Sequence, residues 1–157
     1  MRTGFRGALA LGSLAAFTAS DDGTVPMSFQ PQRVLIIDDH GPCRAVVREL
    51  LERRGFAVVA EADGAKAGLE AAEAAAPDAV VLDVHLGDGN GIEVCRALTE
   101  ANPALAVLLV SADAHDGRWV SDCGAVAFLP KIRLASADLG ELLRAGADED
   151  LAGRATG

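Results

Sequence analysis

The chain has 157 residues, room for one domain of ordinary size and too few for two. Half of the residues are hydrophobic, which excludes disorder over most of the length, and with five Phe, one Trp and no Tyr the core must be aliphatic. A net charge of −9 argues against a nucleic-acid or anionic-membrane binder, and of the 14 basic residues only Lys66 and Lys131 are lysines.

Residues 1–31 read as a leader. Arg2 and Arg6 precede a small-residue apolar run from Gly7 to Ala19, then Ser20-Asp21-Asp22, a pattern resembling a weak signal peptide. The run is too short to span a bilayer, which takes about 20 apolar residues. Met27 stands just before the first strong strand, so the expectation is a natural start there and an unstructured or mis-called extension before it.

Residues 32–146 alternate strand and helix patterns. Val34 to Ile37 is a continuous apolar run ending in Asp38-Asp39, a buried parallel strand. Gly41-Pro42 opens a helix whose apolar face is Val46, Val47, Leu50 and Leu51, and Gly55 stops it. Phe56 to Ala60 is a second strand. Asp63-Gly64 caps an Ala-rich helix to about Ala76, ended by Pro77. Ala79 to Leu82 is a third strand, ending at Asp83. Leu86 to Gly91 is a loop, and Ile92, Cys95 and Leu98 mark a helix ended near Asn102-Pro103. Leu105 to Val110 is the most apolar strand. A weak helix carrying Gly117 spans Asp113 to Asp122, and Ala125 to Leu129 is the fifth strand, followed by Pro130-Lys131. Ser136 caps a last helix with Leu139, Leu142 and Leu143 inward. Residues 147–157 form an acidic tail. Five strands alternating with five helices imply an α/β fold, a doubly wound parallel sheet covered on both faces. Cys43, Cys95 and Cys123 are odd in number and lack CxxC spacing, which reads as reduced, packing thiols of a cytoplasmic protein.

Ligands of open α/β sheets bind at the carboxyl ends of the strands. Here those ends offer Asp38-Asp39, Asp83, Ser111 and, just past the fifth strand, Lys131. Three clustered carboxylates stay ionised together only with a cation among them, and oxygen donors on short loops favour Mg²⁺. A carboxylate beside Mg²⁺ and an ammonium is set up as a nucleophile toward phosphorus. Ser111 can donate a hydrogen bond to the product phosphate.

These residues, in this order on successive strand ends, resemble the receiver domain of the response regulators of two-component signalling. The resemblance covers residues 33–145: the acidic pair Asp38-Asp39, phosphoacceptor-like Asp83, Ser111-Ala112, Phe128 as switch aromatic, and Lys131. It implies a flavodoxin-like fold and phosphorylation of Asp83 by a sensor histidine kinase or histidine phosphotransfer protein. It further implies Mg²⁺ bound directly by Asp39 and Asp83, through water by Asp38, and by the backbone carbonyl of His85. Ser111 and Phe128 become the switch pair. Gly87 stands where the family often has Pro, which predicts a looser loop after Asp83, and His85 holds a position that tunes hydrolysis in the family. Gly117 breaks the segment used for output.

The expected function is a stand-alone switch, not an enzyme with an external product, whose output is contact with another protein. The segment after Lys131 carries three Arg against five acids and leaves room for one helix, so no nucleic acid and no membrane is expected as partner. Asp38-Asp39 alone would read as a helix cap, Lys131 alone as surface, Ser111 as a turn and Phe128 as core. His40 and His85 could join a transition-metal site but read better as exposed loop residues. The alternatives are a degenerate receiver used as a scaffold, a nucleotide- or flavin-binding module of the same topology, and a phosphatase, for which His85 occupies the place of the second acid.

Overall fold

The structure, a computed structural model, describes residues 31–113 and 120–143. The expected leader up to residue 30, the part of the weak helix holding His115, Gly117 and Trp119, and the acidic tail lie outside them. The elements in chain order are β1 (Arg33–Ile37), α1 (Gly41–Arg53), β2 (Ala57–Ala62), α2 (Ala65–Ala75) and β3 (Ala79–Asp83). They continue with β4 (His85–Leu86), β5 (Gly89–Asn90), α3 (Gly91–Ala101), β6 (Ala106–Ser111), α4 (Val120–Cys123) and β7 (Ala127–Pro130). A single 3-10 turn, Lys131–Arg133, follows, and residues 139–143 are helical.

β1, β2, β3, β6 and β7 form one parallel sheet in the order β2-β1-β3-β6-β7. This is the expected doubly wound, flavodoxin-like arrangement. Alternate residues of each strand feed opposite faces. Leu35, Ile37, Val80, Leu82, Val107 and Leu109 join α3 side chains in one core. Val34, Ile36, Val81, Leu108 and Val110 join Val47 and Leu51 of α1, with Leu139 and Leu143, in the other. Both faces of the central strands are therefore apolar, which explains the unbroken runs read in the sequence. Gly68 of α2 lies against Ile37, where a Cβ would sit 2.7 Å from its Cδ1.

The departures from expectation are local. Four helices are bounded within the described residues where five were expected, the last being described only as 139–143. β2 runs on to Ala62 because its pairing with Ile37 continues to the end of β1. The expected loop after Asp83 contains a small antiparallel hairpin, β4 on β5. Asp63 does not cap α2, whose N-cap is Gly64 with no side-chain hydrogen bond of its own. Ser136 does not cap the last helical segment. Its hydroxyl donates to the Arg133 carbonyl, and Asp138 Oδ1 accepts from the Glu141 N–H at 3.0 Å instead. None of the three cysteines is in a disulfide. Among the described residues no helix is long and apolar enough to cross a membrane.

Candidate functional site

The strand order reverses between β1 and β3, since β1 continues to β2 on one side and β3 to β6 on the other. The crevice at the carboxyl ends of that pair is where open α/β sheets bind ligands. Asp38 follows β1 directly, its N–H bound to the Ala62 carbonyl at 3.0 Å. Its Oδ1 accepts from the His40 N–H at 2.8 Å, which turns the chain into α1. The residue that caps α1 is His40, through Nδ1 and the Cys43 N–H at 3.2 Å. The capping alternative for Asp38-Asp39 is thereby taken by another side chain, and a His40 nitrogen used as acceptor is occupied within its own turn.

Asp83 is the last residue of β3 and is 4 % exposed, and Asp38 is 2 % exposed. Asp83 Oδ1 accepts from the His85 N–H at 3.1 Å, and Oδ2 accepts from Lys131 Nζ at 3.1 Å. The same ammonium lies 3.0 Å from Asp38 Oδ2. Asp39 is exposed, and one oxygen each from Asp38, Asp39 and Asp83 lie within 4.8 Å of one another.

Burial raises the Asp83 carboxyl above its ordinary range, more than the His85 N–H and the Lys131 ammonium lower it. Burial opposes the charge of Lys131 as well, but contact with Asp38 and Asp83 outweighs it and holds the ammonium above its ordinary value. One ammonium cannot neutralise three carboxylates. Asp38 Oδ2 is buried and faces the Lys131 ammonium at 3.0 Å, with no other polar partner among the described residues. Three clustered carboxylate oxygens with one ammonium between two of them form an oxygen-only donor set short of positive charge, which fits a hard divalent cation.

Ser111 is fully buried at the end of β6, opposite Pro130, and its Oγ accepts from the Asp113 N–H at 2.9 Å. Lys131 is the next residue after that pair, so β7 delivers the ammonium to the same edge. Phe128 pairs with Leu109 in the ladder and is half-buried against the α3-side core. The His85 side chain is exposed and begins the hairpin. Two contributors escaped the sequence reading. Arg44 Nη1 donates to the Asp38 carbonyl at 2.7 Å and its Nε to Glu61 at 3.2 Å, which ties α1 to the end of β1. Asp88 lies at the hairpin tip and bonds to α2. Neither is marked in the sequence, where a charge on a helix face or a loop tip carries no sign of its partner.

Residues 34–144 match the family model of the response regulator receiver domain. The chain belongs to this family. The receiver is 40 % identical over 79 residues to the transcription regulator BvgA of Bordetella pertussis, covering 50 % of this chain and 38 % of that one. The receiver domain of response regulator NarL from Mycobacterium tuberculosis superposes with a TM-score of 0.64 at 30 % identity, covering 78 % of this chain and 98 % of that one. A response regulator from Burkholderia pseudomallei, solved with a phosphorylated aspartic acid and a calcium ion, gives 0.66 at 26 % identity over 80 % of this chain and 74 % of that one. The chain spans less than half the length of the curated relatives it matches.

Proposed function

We propose that Asp83 accepts a phosphoryl group from a phosphohistidine on a sensor histidine kinase or histidine phosphotransfer protein. The carboxylate oxygen forms a bond to phosphorus, the phosphorus–nitrogen bond breaks, and the imidazole leaves. The observation that carries this reading is Asp83 Oδ2 held 3.1 Å from Lys131 Nζ inside the carboxylate cluster. Lys131 would neutralise the transferring oxygens and Ser111 would donate to the product phosphate. Mg²⁺ would be held by Asp39 and Asp83, through water by Asp38, and by the His85 carbonyl, supplying the remaining positive charge. The phosphorylated aspartate and calcium of the Burkholderia relative support the same use of an acidic cluster.

The protein forms and loses its own acyl phosphate and turns over no external product, so it acts as a switch and not as an enzyme. The exposed His85 side chain, two residues from Asp83, would set the lifetime of the phosphorylated state. Ser111 and Phe128 would relay the change to a surface read by another protein in the cytoplasm. The net charge of −9 supports protein contact over nucleic acid for the receiver's own output. With Asp38, Asp39, Asp83, Ser111 and Lys131 all at one edge, no observation favours a degenerate scaffold.

The test is intact mass after incubation with a small acyl phosphate, with and without Mg²⁺. One added phosphoryl group that requires Mg²⁺ is the expected result. An unmodified protein at saturating Mg²⁺ and donor contradicts the reading.

A further inference from the structure

The hairpin after Asp83 touches α2 as well as the acidic cluster. At its root His85 pairs with Asn90 and Leu86 with Gly89, and the His85 N–H bonds to Asp83. At its tip are Gly87 and Asp88. Asp88 Oδ1 accepts from the Ala65 N–H at 2.6 Å and Oδ2 from the Lys66 N–H at 3.3 Å. These are first-turn donors of α2, which has no cap of its own. Those two N–H groups, Ala65 first, hold the Asp88 carboxyl below its ordinary range.

Glycines on both sides allow the contact. A Cβ on Gly64 would lie 2.7 Å from Asp88 Oδ1, and one on Gly89 would lie 2.9 Å from Ala65 Cβ. The tip also reaches the cluster, since a Cβ on Gly87 would lie 3.2 Å from Asp39 Oδ2. One short hairpin thus joins Asp83, the neighbourhood of Asp39 and the N-terminus of α2.

We propose that Asp88 is a positioning residue for the metal site: by fastening the hairpin tip to α2 it holds the His85 backbone and the approach to Asp39 in binding geometry. This rests on the Mg²⁺ reading given above. In this reading the constraint that a proline at Gly87 would give the loop is supplied by a side chain one residue later.

Capping and positioning are separable. Gly64 is extended (φ −170°), a conformation open to any residue, and the space a Cβ needs there is the space that Asp88 fills. In an Asp88→Ala protein, Gly64→Ser therefore restores a cap to α2 without restoring the tether. The experiment follows backbone amide shifts of residues 83–90 on Mg²⁺ titration, alongside the thermal midpoint, in wild type, Asp88→Ala and Asp88→Ala/Gly64→Ser. Asp88→Ala should lower the midpoint and weaken Mg²⁺ binding about tenfold, the scale set by lost supporting contacts around metal ligands. The double variant should recover the midpoint and keep the weakened binding. Wild-type Mg²⁺ affinity in Asp88→Ala, or recovery of both properties in the double variant, overturns the inference. Wild-type protein that binds Mg²⁺ normally yet takes no phosphoryl group overturns the function and not the clasp.

Discussion

Burial and counter-charge pull Asp83 in opposite directions, and burial wins. Its folded-state pKa stands above the ordinary 3.8, so the folded protein holds this proton more readily than the unfolded chain. The associated stability is complete below 3.8 and is lost as pH rises through the folded value. Asp83→Asn should therefore raise the thermal midpoint at pH 7 in Mg²⁺-free buffer, with a gain that shrinks on acidification. A lower midpoint at pH 7 would contradict this. Glu61 has the opposite sign. Arg48 and then Arg44 hold it below its ordinary value of 4.5, so its contribution is present above that value and is lost as pH falls through the folded one. Glu61→Gln should cost stability at pH 7 and nothing at strongly acid pH. Lys131 and Asp83 were legible in the sequence because strand ends are few and lysines fewer. Glu61, Arg44 and Asp88 were not, because with 23 acids and 14 bases a charge on a helix face or loop tip carries no mark of its partner.

Among the elements, the strands were legible and the helix caps were not. A strand buried on both faces writes itself as an apolar run, whereas a cap depends on which nearby acceptor reaches the first turn. Asn90 caps α3 from its own loop, but the other caps are His40, Asp88 from a distant hairpin, and Asp138, in place of the residues the local pattern favoured. Two substitutions test element geometry. A Cβ on Gly91 would lie 2.1 Å from the Asp83 carbonyl oxygen, which is backbone and cannot yield cheaply. Gly91→Ala should cost about 3 kcal/mol or more by overpacking, read by denaturant unfolding, and should displace the end of β3. At the other end of α2, Ala76 sits at φ 48°, its carbonyl and that of Ala75 held by the Arg33 guanidinium. Ala76→Gly removes the left-handed strain of a Cβ and adds some freedom to the unfolded chain, for a net gain of about 0.5 kcal/mol. A loss of stability in that variant would mean that Ala76 is not strained.

At the scale of the molecule, the sheet order brings residues 38, 83 and 131 to one crevice, and burial makes that crevice consequential. Two nearly inaccessible carboxylates share one ammonium, and a third stands exposed beside them. The strands that carry the site are packed on both faces by separate apolar cores. In the function proposed above, this arrangement makes Asp83, and neither Asp38 nor Asp39, the phosphoryl acceptor. The direct measurement is borohydride reduction of the protein after treatment with a small acyl phosphate and Mg²⁺, followed by peptide mass mapping. Reduction converts an aspartyl phosphate to homoserine, so homoserine is expected in place of Asp83, with unmodified aspartate at 38 and 39. Homoserine at position 38 or 39, or at no aspartate in a protein that gained a phosphoryl group, would contradict it.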